Sequence, residues 1–178
     1  MASLVDRMAG AMKADVRTFQ EIEADTNAVS QAVAVIVIAG IAAMIGNMFR
    51  VGITGGVTRL IMSIIGYAIW SVLIVLIGTK LMPEPATKAS FQEAFRVIGF
   101  TAAPGVFNVL AIVPFLGPLI SFVISIWMLV IGVIAVREVL DYSNTGRAIV
   151  VCLIAFCIYW IILLFVLMPI FVARAVMG

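Results

Sequence analysis

Between Ala28 and Phe171 the chain passes through five long apolar stretches, and no Asp, Glu, Lys or Arg stands in the middle of any of them. They cover approximately residues 28–48, 57–78, 91–113, 119–136 and 148–171, the third with an amphipathic lead-in before Val97. A helix crossing a hydrocarbon core of ~30 Å needs about 17–25 such residues. Helices suit this solvent because they satisfy every backbone N–H and C=O where no water is available. Composition leads the same way. The chain is 65% hydrophobic and 11% charged, against about 25% charged in soluble domains, so polar residues are too few to coat a water-facing exterior. The expected fold is all-α: a polytopic five-transmembrane-helix bundle, residues 28–178, preceded by an amphipathic amino-terminal helix, residues 1–27.

In that first segment Leu4, Met8, Met12, Val16 and Phe19 recur every three or four residues. Asp6, Arg7, Lys13, Asp15 and Arg17 fall on other faces, so residues 2–23 read as one amphipathic helix. It is too polar to span and has no apolar core of the signal-peptide type, which leaves it on the cytoplasmic surface or docked on the bundle. Thr26 or Asn27 is placed to cap the first span. Gly52-Ile53-Thr54-Gly55-Gly56 supplies the first turn, and Pro83 and Pro85 mark the second link. Ser90 and Glu93 have the spacing of a capping box that opens the third helix. Pro104 should bend that helix, because proline lacks a backbone donor and clashes with the preceding turn.

Orientation follows from the placement of Lys and Arg. Arg7, Lys13, Arg17, Lys80, Lys88, Arg96, Arg137 and Arg147 fall on one side of the expected membrane; Arg50, Arg59 and Arg174 fall on the other. All nine acidic residues share the first side. The expected location is a bacterial inner membrane, with the amino terminus cytoplasmic and the carboxyl terminus periplasmic.

Chemistry has few footholds. The chain has no His, the commonest metal ligand and acid–base catalyst. A serine nucleophile would have no side-chain base at mid-span. No enzyme, metal or cofactor is expected. The basic residues form no stripe, so no nucleic acid partner is expected either. Cys152 and Cys157, five residues apart in one helix, point to different faces and read as small hydrophobes. Arg59, near the start of the second span, reads as a side chain that snorkels to the interface.

The polar residues within spans recur with helical spacing. Thr101, Pro104, Gly105 and Asn108 share one α-helical face of the third span; Ser121, Ser125, Met128 and Gly132 share one face of the fourth. Ala32, Ala39, Ala43 and Gly46 form a small-residue stripe on the first. Such stripes are seams, since membrane helices associate through close packing at small residues and interhelical hydrogen bonds. The functional alternative is a polar groove formed by Thr101, Asn108, Ser121 and Ser125. Trp70, Trp127 and Trp160 lie well inside their spans; they should face the interior and donate to Asn108, Ser121, Ser125 or a carbonyl near Pro104.

The run Phe95-Arg96-Val97-Ile98-Gly99-Phe100-Thr101-Ala102-Ala103-Pro104 is similar to the Gly-Tyr-x-x-x-Pro signature of the Yip domain family, the Ypt/Rab-interacting proteins and their bacterial relatives, with Phe100 in the Tyr place. Trp127 in an apolar span, Arg147-Ala148 at the opening of the last helix, and five spans with the amino terminus inside strengthen the likeness, which covers Ser90 to Ile162. The Asp-Leu-Tyr-Gly-Pro motif and the long cytoplasmic segment of the Rab-linked branch are absent. The resemblance therefore implies a compact bacterial-type member, non-enzymatic, with Gly99, Phe100, Pro104 and Trp127 as motif and packing residues and no Rab-type GTPase partner. Membrane lipid and other membrane proteins are the expected partners. The expected role is that of a scaffold, an accessory subunit of a larger membrane complex, or a helper of membrane organisation. The alternative is a transporter or channel for a neutral or lipid-like solute.

Overall fold

The computed structural model describes the backbone of residues 2–177 and the side chains of residues 2–165 and 168. Its helices are α1 (Leu4–Met12), α2 (Val16–Ala24), α3 (Ala28–Gly46), α4 (Met48–Leu76, extended by a π-helical turn, Ile77–Leu81), α5 (Phe91–Phe100), a 3-10 segment (Ala103–Ile112), α6 (Gly117–Val139) and α7 (Thr145–Met177). Five of these units are long and apolar enough to cross a membrane, α5 counting together with the 3-10 segment. The all-α polytopic architecture stands. Within an 18-residue apolar stretch of that third crossing unit 67% of the residues are buried, against 17–33% for the other four, so it is the pillar around which they pack.

The amino-terminal segment is not one helix. Ala14 adopts φ 55, a left-handed turn that breaks it into α1 and α2. Each half has its own cap: Ser3 and Asp6 form a capping box on α1, and the Asp15 side chain accepts from the Arg17 N–H on α2. The resulting hairpin is docked, with Ala11, Phe19 and Ile22 fully buried. Arg7, which periodicity places on the polar face, is 2% exposed. Its guanidinium contacts Glu21 at 2.8 Å and Asp25 at 2.8 Å and donates to Gln31 Oε1 at 2.9 Å, tying α1 to α2 and to the first turn of α3. Periodicity misassigns Arg7 because it sorts residues by polarity, and a guanidinium with carboxylate partners satisfies a buried site that an unpaired one cannot.

A second buried cation, Arg96 on α5, donates from Nη2 to the Glu23 carbonyl, while its Nε has no partner among the described residues. Both guanidiniums lie toward the acid-bearing end of the bundle, neither at mid-span. The Glu23 carboxylate sits near Arg96 and Glu93 of α5, Glu138 of α6 and Asp141. Burial, with the neighbouring carboxylates adding, pushes its pKa from 4.5 up to about 7 against the pull of Arg96. A raised value in the folded state means that its contribution to docking is complete below about pH 4.5 and is lost as pH rises through about 7. Glu21 and Asp25 run the other way: hydrogen bonds from Arg7 lower both pKa values, so their contribution is present at neutral pH and lost on acidification. Glu23→Gln should therefore abolish the loosening of the hairpin between about pH 5 and pH 8, read by hydrogen exchange at residues 2–24. An unchanged pH profile in the variant would refute this assignment.

The first turn is sharper than its glycine content suggests. The chain reverses at Asn47 and at Gly52, whose φ of 66 and ψ of 178 favour glycine. Gly55 and Gly56 are already helical, and a Cβ on Gly56 would collide with the Met44 side chain, so Gly56 serves close packing of α4 on α3. The Ser90–Glu93 capping box forms as expected, with Ser90 N–H donating to Glu93 Oε2 at 2.8 Å. Beyond α7's residue 165 the Arg174 side chain, counted for orientation, lies outside the described residues.

Pro104 does more than bend its helix. α5 ends at Phe100, and from Ala103 the chain continues as ten residues of 3-10 helix with Pro104 in its first turn. Thr101 N–H donates to the Ile98 carbonyl at 3.0 Å, Thr101 Oγ1 donates to the same carbonyl at 2.6 Å, and Gly105 N–H donates to Ala102 at 2.8 Å. These shorter-range bonds occupy carbonyls near the point where proline cannot donate. The segment packs closely on α3 through small residues: a Cβ on Gly99 would lie 2.8 Å from Ala32 Cβ, one on Gly105 2.8 Å from Ala39 Cβ, and one on Gly46 would overlap the Asn108 carbonyl. Ala32, Ala39 and Gly46 are thus a seam, as their spacing implies; Ala43 instead faces a small cavity against α4.

Candidate functional site

Between α4, α5, α6 and α7 the bundle leaves a cavity of about 550 Å³, well within the ~300–1,000 Å³ of ordinary ligand sites. On α4 the wall is Met62, Ser63, Gly66, Tyr67 and Trp70, which recur on one helical face. On α6 it is Ser125, Met128, Leu129, Gly132 and Val133. Ile98 of α5 and Thr101, just past its end, also line it, while Cys152, Phe156 and Tyr159 contribute from α7. The rim residues Met62, Ser125, Leu129 and Phe156 are exposed, so the cavity opens sideways at mid-span, where the surroundings of a membrane protein are hydrocarbon.

Among the described residues no charged side chain lines it. The Ser63 hydroxyl donates to the Leu60 carbonyl at 2.7 Å, that of Ser125 to Ser121 at 2.8 Å, and that of Thr101 to Ile98. These three hydroxyl protons are spent on their own helices, whereas the Trp70 indole N–H and the Tyr159 hydroxyl, also in the wall, donate to none of the described residues. Trp70 meets Tyr159 edge to face, 6.2 Å between centroids, and the Tyr159 hydroxyl lies 3.0 Å from where a Gly66 Cβ would be. Gly132 has nothing within 4 Å of its own Cβ position, so part of the opening exists because α6 carries no side chain there.

The four residues expected to form a polar groove divide. Thr101 and Ser125 line the cavity; Asn108 and Ser121 do not. A shared face for Thr101, Pro104, Gly105 and Asn108 requires 3.6 residues per turn, and the 3-10 segment has three. That places Asn108 in register with Gly105, whose carbonyl its Nδ2 reaches at 3.2 Å, and turns it toward α3. Ser121 Oγ is buried with no partner among the described residues. Met128 and Gly132, grouped with Ser125 by spacing, do line the wall. Ser63, Gly66, Tyr67, Trp70 and Tyr159 escape a search for polar stripes. Their signal is a small-and-aromatic pattern at helical spacing on α4.

The tryptophans also depart from expectation. Trp127 stacks on Phe107, 5.8 Å between centroids and 12° between planes, and its Nε1 donates to the Met12 carbonyl at 2.9 Å. It anchors the amino-terminal hairpin and does not serve the cavity. Trp160 is 57% exposed and meets Phe156 edge-on; of the three tryptophans, Trp70 lines the cavity. The Gly99-Phe100-x-x-x-Pro104 run lies at the change from α-helix to 3-10 helix, with Gly99 against Ala32 and Phe100 fully buried. Its role on view is packing.

A family model described as the Yip1 domain matches residues 9–170, nearly the whole chain and well beyond the Ser90–Ile162 stretch that carries the motif. No curated protein and no solved structure matches it.

Proposed function

The chain belongs to the Yip1 domain family, and from that premise we propose that it is a non-catalytic membrane protein that acts by holding a hydrocarbon chain of the surrounding lipid between α4, α5, α6 and α7. The carrying observation is the sideways-opening cavity of about 550 Å³ with no charged side chain in its wall among the described residues. The donors in the wall, the Trp70 indole N–H and the Tyr67 and Tyr159 hydroxyls, are carried on aromatic rings, and the surface between them is mostly carbon, which suits an apolar chain. The described wall holds no carboxylate, lysine or histidine to serve as a base, which favours a non-catalytic role. The proposal includes the bacterial inner membrane as location, a cytoplasmic amino terminus, action beside other membrane proteins, and independence of Rab-type GTPases.

Filling the cavity tests this. Gly132→Trp inserts a large side chain into open space, so it should strip bound lipid from the purified protein while leaving the thermal midpoint nearly unchanged. Native mass spectrometry in mild detergent counts lipids per chain. Equal occupancy in wild type and variant would remove the reading. Flux of a neutral solute across reconstituted vesicles, blocked by the same change, would favour a conduit instead.

A further inference from the structure

The α4 face that lines the cavity continues past it to a cation. At 100° per residue, Arg59 shares the azimuth of Gly66 and Trp70, two and three turns along α4. From Arg59 to Trp70 is eleven residues, or about 16 Å of helix, the depth of one leaflet of a ~30 Å hydrocarbon core. Arg59 also borders a smaller cavity of about 210 Å³ between α3 and α4, shared with Asn47 and Ser63. Ser63 lines both cavities and so is the point where they adjoin. Arg50 donates from Nη1 to Asn47 Oδ1 at 3.3 Å, which brings a second guanidinium to the same end of the bundle. Among the described residues no carboxylate answers them. The sequence has no Asp or Glu between Asp25 and Glu84 or after Asp141, and Arg59 makes no ion pair among the described residues.

We infer that the two cavities form one site for an anionic glycerophospholipid of the leaflet on the Arg59 side. Its phosphate lies at Arg59 and Asn47, and one acyl chain passes Ser63 and runs between Gly66 and Gly132 to Trp70. This rests on the proposed hydrocarbon-holding role and adds the headgroup. Three features select this occupant: a guanidinium with no competing carboxylate, an uncharged trough that starts beneath it, and a length from one to the other that matches a single leaflet. An anionic headgroup is favoured over a zwitterionic one because it brings no cation of its own to oppose Arg50 and Arg59.

The full-length protein, reconstituted in vesicles of equal phosphatidylglycerol and phosphatidylcholine and re-extracted in mild detergent, supplies the test. Wild type should retain phosphatidylglycerol about fivefold over phosphatidylcholine, the preference expected of one basic side chain at a membrane surface. Arg59→Gln should lose that preference yet still carry lipid, and Gly132→Trp should lose both lipids. Retained preference in Arg59→Gln overturns the headgroup assignment, and so does a wild type that carries both lipids equally; either leaves the hydrocarbon reading standing. Undiminished lipid in Gly132→Trp overturns the hydrocarbon reading itself. Displacement of phosphatidylglycerol by millimolar inorganic phosphate would show an anion site alone and also overturn the lipid assignment.

Discussion

Arg7→Ala should release the amino-terminal hairpin and cost the folded protein about 3 kcal/mol, the lower end of the range for removing one partner of a buried ion pair. The guanidinium is 2% exposed and is the one cation in ion-pair contact with Glu21 and Asp25 among the described residues; the Asp25 side chain itself is 15% exposed. Its loss leaves the Asp25 carboxylate without its ion-pair partner, with only the Asn27 N–H donating to it, and unties α1 from α3, where Gln31 also loses its donor. Arg7→Lys should fall between, because an ammonium keeps the charge but cannot spread three directed contacts over Glu21, Asp25 and Gln31. Trypsin reports the outcome directly. Lys13 and Arg17 are exposed beside the α1–α2 turn, and cleavage there should accelerate markedly in Arg7→Ala. Wild-type protease resistance and an unshifted thermal midpoint would sink the latch.

Gly46→Ala should be the second large effect, about 3 kcal/mol of destabilisation from overpacking. The added methyl would overlap the Asn108 backbone carbonyl and stand 3.3 Å from Ala111 Cβ. A flexible side chain could step aside; a carbonyl within a packed 3-10 segment cannot without moving the segment. Gly132→Ala is the matched control, with nothing within 4 Å of the new atom. Thermal unfolding of the two variants in the same detergent separates a true seam from a general intolerance of larger residues. Equal midpoints would dismiss the close approach of α3 to the 3-10 segment.

Much of this was legible in residue order. The five spans follow from run length, because a bilayer's thickness sets a minimum count of apolar residues. The Ser90–Glu93 box follows from a local bonding rule that needs no tertiary partner. Ala32, Ala39 and Gly46 were identifiable as a seam because small residues at helical spacing have few other uses in lipid. The polar groove was misdrawn at Asn108 for an equally specific reason: periodicity assumed one helix type through Pro104, and a change from 3.6 to three residues per turn rotates every residue beyond it. Trp127 was misassigned because its acceptor, the Met12 carbonyl, is 115 residues away.

Sequence alone thus determined the solvent, the number of crossings and which faces are small enough to touch, since these depend on solubility and on properties of single helices. Tertiary structure decided that Arg7 is buried, that Asn108 turns to α3, and that α4, α5, α6 and α7 stand apart around Gly66 and Gly132. Each of those is a sum over partners from distant segments, and a chain read in order has no term for the space left when helices that could touch do not.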